Sequence, residues 1–97
     1  MAEKQVKIVQ DPCGDHTIYF HVDVRLSKTN VWRPEGDRVS EKTKALFNEV
    51  LNIHGVQGVS VDRYKLQVER SKAVPWEEIT TRVEHAILEA TANGDLE

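Results

Sequence analysis

Cys13 and His16 lie either side of Gly14-Asp15, with Asp11 and Asp15 close by in the run Asp11-Pro12-Cys13-Gly14-Asp15-His16. A thiolate next to an imidazole can act as a nucleophile–base pair or as two ligands for a soft metal ion. The plainer reading is a polar turn, because Pro fixes φ, Gly permits positive φ and Asp bonds its own backbone. Two ligands in one turn are too few for a closed tetrahedral site, so the turn is the preferred reading. Cys13 is the only cysteine in the chain, which excludes an internal disulfide and any four-thiolate site within one copy. His54 is expected in the last turn of a helix, where the dipole favours an imidazolium. His85 falls on the wet side of a later helix. Neither has a Ser or Cys nearby in sequence to complete a catalytic triad. The five glycines are dispersed at turns and form no phosphate-binding loop. No catalytic residue, metal ligand or cofactor site is assigned.

A different set of polar residues gives the stronger signal. Ile18, Phe20, Val22, Val24 and Leu26 alternate with Tyr19, His21, Asp23 and Arg25. A period of two is that of a half-buried strand, greasy on one face and polar on the other. Lys65, Gln67 and Glu69 alternate in the same way with Leu66 and Val68. Tyr19, His21, Arg25, Lys65 and Gln67 are therefore the candidate protein-binding residues, on a sheet face that helices leave open. Tyr and Arg are the types that concentrate binding energy at interfaces, and a free strand edge offers a second docking mode. The plainer reading of this face is solvation alone.

The elements that position these residues follow in order. Gln5 to Gln10 reads as a first strand, and the turn at 11–15 leads into the long strand His16 to Leu26. Ser27 to Gly36 is polar and reads as a loop, with a brief extended piece at Val31-Trp32; Trp32 is expected to fold over the core edge. A helix begins near Asp37 or Ser40, both good N-caps, and carries Val39, Leu46, Phe47, Val50 and Ile53 on one stripe. Gly55 can stop it in a left-handed conformation. Val56, Val59 and Val61 form a third strand. Tyr64, Leu66 and Val68 form a fourth, with Asp62-Arg63 as the reversal between them. Pro75 is placed for a first helical position. Trp76, Ile79, Val83, Ala86, Ile87 and Ala90 then make one amphipathic stripe that ends before Asn93-Gly94. Trp76 and Phe47 are assigned to the core. Leu96-Glu97 is given no structural weight.

The order is ββαββα, and single apolar faces throughout imply two layers. The expected fold is an α+β two-layer sandwich, a four-stranded mainly antiparallel sheet with two helices on one face. At 97 residues the chain supports one domain, residues 1–97, with an ordered core over about 5–92. Thirteen Lys and Arg against 16 Asp and Glu give a net charge of −3, which is no footprint for nucleic-acid phosphates. No apolar run approaches a bilayer span, and Met1-Ala2-Glu3-Lys4 opens no signal-type stretch, so the chain is expected to be cytoplasmic.

Leu46-Phe47, Val50-Leu51, Ile53-His54-Gly55-Val56, Val59, the run Val61 to Val68 and Trp76-Glu77-Glu78-Ile79 resemble the N-terminal domain of Nfu/NifU-type iron–sulfur scaffold proteins. That family has a helix ending in Leu-Phe followed by Ile-x-Gly-Val-x-x-Val, a hairpin with an aromatic opening its second strand, and a Trp at the start of the final helix. Asp11 to Phe20 resembles the family's Thr-Pro-Asn-Pro-Asn-Thr-Leu-Lys-Phe passage, with one extra residue and with Cys and Gly in place of Asn and Pro. The resemblance runs from Asp11 to Ala90. In that family a Cys-x-x-Cys pair in a separate C-terminal domain holds the cluster. This chain has neither, so cluster scaffolding transfers to no residue. The resemblance implies a non-enzymatic interaction or accessory domain linked to iron–sulfur assembly, with a protein partner. Two rivals stay open. A small ferredoxin-like regulatory domain binding a metabolite or metal would need a strand after the last helix. An enzyme using Cys13 with His16 would need a lined pocket.

Overall fold

The alternation from Ile18 to Leu26 decides how the whole molecule is layered. In the computed structural model, which describes residues 6–32 and 39–96, all five even-numbered apolar residues of this segment are buried. The elements are β1 (Ile8–Pro12), β2 (Thr17–Val22), α1 (Glu41–Leu51), β3 (Val56–Asp62), β4 (Lys65–Arg70) and α2 (Trp76–Ala90). The strands form one antiparallel sheet in the order β1-β2-β4-β3. Ile18, Phe20 and Val22 of β2, Leu66 and Val68 of β4, and Val59 and Val61 of β3 pack in one cluster with Leu46, Phe47 and Val50 of α1 and Ile79, Val83 and Ile87 of α2. Both helices thus lie on the same face, as the ββαββα order implies. The 20 Å short dimension is that of one sheet and one helix layer.

The strand boundaries differ from those the sequence suggests. β1 is displaced toward the C-terminus: it starts at Ile8 and includes Pro12, which the composition assigns to a turn. Gln5 lies outside the described residues. β2 ends at Val22, short of Leu26, yet Val24 and Leu26 stay buried. Their segment is held by Leu26 N–H donating to Arg63 O at 2.7 Å and by Leu96 N–H donating to Arg25 O at 2.8 Å. Apolar periodicity reports burial, and burial here outlasts the ladder.

Val56, Val59 and Val61 cannot all face one way on a regular strand, since the first gap is three residues. A register shift between Val56 and Gly58 resolves this by inserting the odd residue. The β3–β4 reversal is Arg63-Tyr64, between the Asp62 and Lys65 pair, one residue later than the sequence suggests. Tyr64 consequently sits in the turn, half exposed. No described non-glycine residue has positive φ, so this turn is neither of the primed hairpin types.

Ser40 caps α1: its hydroxyl accepts from Thr43 N–H at 3.1 Å and donates to Leu96 O at 3.2 Å. Asp37, the other candidate cap, lies outside the described residues. The helix stops at Leu51 with Asn52 as C-cap, so His54 stands beyond it in the following turn, exposed, and has no place in the helix's last turn. Pro75 is the N-cap residue of α2, one position earlier than expected, and Trp76 opens the helix. His85 is exposed on α2, with Nε2 2.9 Å from Glu89 Oε1 one turn on.

Thr43 and Leu96 escape a reading by hydropathy. Thr43 is fully buried because its hydroxyl donates to Leu26 O at 2.6 Å, which removes the penalty of burying it. Leu96 is buried in the core cluster, so the C-terminal tail is a structural part of the domain. Asp95 Oδ1 accepts from Arg25 N–H at 2.8 Å and completes the tie.

Candidate functional site

The open face is built row by row from the sheet register. Asp11, Tyr19, Gln67 and Ser60 lie opposite one another across β1, β2, β4 and β3, and Val9, His21, Lys65 and Asp62 form the next row. These are the positions that alternate with the buried ones, so their side chains project away from the helices. Tyr19, His21, Lys65 and Gln67, named from sequence spacing alone, are brought together in two adjoining rows. Arg25 is not among them. It follows the end of β2, and both its backbone groups are engaged by Asp95 and Leu96 of the tail.

Tyr19, His21 and Lys65 hold one another in place. Lys65 Nζ stands 4.8 Å from the centre of the Tyr19 ring, a cation–π contact that keeps the ammonium over the sheet. The Tyr19 and His21 rings are 6.4 Å apart at 45°. His21 Nε2 is 3.4 Å from Asp11 Oδ2, with both side chains largely in solvent. Such exposed pairs contribute little stability but orient donors and acceptors. The surface therefore offers an aromatic ring, a cation, an amide and an imidazole.

Trp32 completes the face at its far end. It is 67% exposed and does not fold over the core edge as the sequence suggests. Its neighbour Val31 is buried and pairs with Val61 through reciprocal backbone hydrogen bonds of 2.6 and 2.8 Å, the brief extended piece expected there. That bridge brings Trp32 beside Gly58, Ser60, Gln67 and Glu69, which line a groove of about 200 Å³. A Cβ at Gly58 would come within 3.1 Å of Glu69 Oε2, so glycine there lets the Glu69 carboxylate lie across β3. Trp32 and Ser60 carry no sequence signal for this role, since Trp32 reaches the face only through the Val31–Val61 bridge.

Cys13 is exposed and follows β1 directly, its N–H donating to Thr17 O at 2.9 Å; Gly14 next to it takes a φ of +78°. These are turn-forming roles. Among the described residues no three His, Cys, Asp or Glu side chains are grouped to hold a metal ion. Trp76 is half-buried and not the full core residue its stripe suggests. Its indole N–H donates to Asp15 O at 3.1 Å, and Arg70 Nε donates to the same oxygen at 2.9 Å. Phe47 is buried as expected. No helix of the described residues is long and apolar enough to cross a membrane. No described strand follows α2.

The fold is a two-layer α+β sandwich of ββαββα order, open on one side of its sheet. It is similar to the NifU-like protein from Saccharomyces cerevisiae, with a TM-score of 0.67 and 14% identity over 98% of this chain and 87% of that one. It is also similar to protein SAV1430 from Staphylococcus aureus, with a TM-score of 0.60 and 20% identity over 84% of this chain and 94% of that one. At these identities the likeness is one of fold. No protein-family model matches the chain, and no curated protein sequence matches it.

Proposed function

We propose that this chain is a non-enzymatic interaction domain that binds a protein partner through the open sheet face, as an accessory of iron–sulfur cluster assembly in the cytoplasm. The observation that carries this reading is the gathering of Tyr19, His21, Lys65 and Gln67 in two adjoining rows while the aliphatic residues of the same strands face the helices. A flat surface with an oriented aromatic and separate donors suits a protein better than a metabolite, which needs most of its area enclosed. The iron–sulfur link is supported by the resemblance of Asp11 to Ala90 to Nfu N-terminal domains and by a structural neighbour described as NifU-like. One thiol is no ligand set for a cluster, so the role we assign is contact with other proteins and not scaffolding.

Photo-crosslinking tests this directly. A benzoylphenylalanine at Gln67 should give a discrete protein adduct in the native host, whereas the same group at Glu49, on the wet side of α1, should give none. Adducts from position 49 without any from position 67 would move the binding surface to the helices and defeat the proposal.

A further inference from the structure

β1 is an edge strand, and among the described residues no strand pairs with its outer side. Cys13 N–H donates to Thr17 O, and the register then couples Asp11 with Tyr19 and Val9 with His21. On the other side of β2, Val22 N–H donates to Tyr64 O, so the even residues of β2 serve β4 and the odd ones serve β1. It follows that odd residues of β1 turn their backbone groups inward, while Ile8, Gln10 and Pro12 turn theirs outward. Pro12 occupies a position where its missing N–H costs no ladder bond. The opposite edge, on β3, is already partly engaged by Val31.

The geometry points to a second copy of this chain as the occupant of that edge, its β1 running antiparallel with Val9 facing Val9 on the two-fold axis. In this register Ile8 of each copy pairs with Gln10 of the other, and the two exchange N–H and C=O groups. The side chains on the open face then match by type. Val9, 61% exposed in one copy, meets its own equivalent in a close non-hydrogen-bonded pair. Lys7 falls opposite Asp11 at both ends, so opposite charges meet twice by symmetry. Slipping the partner one way sets Val9 opposite Asp11 and Lys7 opposite Cys13. Slipping it the other way sets Lys7 opposite Val9. Charge and hydropathy therefore select the Val9-centred register over its neighbours. Helix α2 borders the same edge, since Gln10 Nε2 donates to Glu84 Oε1 at 2.8 Å. One turn beyond Glu84, Leu88 is 46% exposed on that side and adds apolar surface in the helix layer. Pairing joins the two sheets and makes their open faces continuous.

Sedimentation equilibrium over roughly 10 μM to 1 mM tests the pairing, because a contact this small is expected to be reversible. Reversible dimer should form in the wild type. Lys7→Glu or Asp11→Lys should each weaken it about tenfold, since symmetry counts each reversal twice. The double reversal should restore it, because position 7 and position 11 again carry opposite charges. A wild type that remains monomeric throughout, or a dimer indifferent to Lys7→Glu, overturns the inference. Amide exchange supplies a readout that needs no variant. Protection of Ile8 and Gln10 should rise with concentration in the wild type, and protection that does not change excludes this edge.

Discussion

Phe20→Ala should destabilise the domain by about 3–5 kcal/mol, enough to leave a small domain barely folded at 25 °C. Phe20 is fully buried, and its ring fills the sheet face beneath both helices. Truncation removes the transfer energy of the ring and leaves a void that well-packed neighbours fill only in part. Tyr19→Ala, one residue earlier, should cost no more than about 1 kcal/mol, chiefly the cation–π contact with Lys65. Urea denaturation of the two variants measures the difference. A Tyr19 variant as unstable as the Phe20 variant would mean that the sheet faces the other way, and the open surface would be lost with it.

Gly55→Ala should be the most damaging change of a single small residue, at about 3 kcal/mol or more. Two costs add. Gly55 has φ +95°, a conformation that L side chains adopt only with strain of about 1–3 kcal/mol. A Cβ there would also stand 2.6 Å from Val74 Cβ. Val74 cannot swing aside, since the clash is with its Cβ and its backbone is held by Val74 N–H donating to Ser71 O at 3.2 Å. Ser71 N–H in turn donates to Gly55 O at 2.7 Å. Gly14→Ala separates the two costs, because Gly14 has φ +78° with nothing within 4 Å of the added atom. It should lose about 1 kcal/mol from backbone strain alone. Adding Val74→Gly to Gly55→Ala should cost less than the sum of the two single changes, as the clash is then absent. Strict additivity in chemical denaturation would show that the close approach is not what requires glycine.

The layering was legible because it depends on parity, and parity survives errors in strand ends. Every even residue from Ile18 to Leu26 is buried whether or not it belongs to the ladder. Strand ends were less legible because they depend on backbone partners distant in sequence. β2 stops at Val22 while Arg63, Leu96 and Asp95 take over the bonding of the residues that follow. That exchange leaves Arg25 outside the strand register that aligns Tyr19, His21, Lys65 and Gln67. Pro12 reads as a turn former, but an edge strand tolerates it with its nitrogen turned outward. Thr43 and Leu96 were missed for opposite reasons. A hydroxyl gives no apolar signal, and a lone leucine near a terminus has no periodic company. Trp32 could not be placed from sequence, since a polar loop does not announce which strand it will bridge.

Partner docking on the open face is tested most directly by a binding titration with the protein that crosslinks at position 67. Tyr19→Ala combined with Lys65→Ala should raise its Kd by about thirtyfold or more while the unfolding midpoint moves little, since both residues belong to the wet side of the sheet. An unchanged Kd in a folded double variant would contradict the assignment of this surface to partner binding.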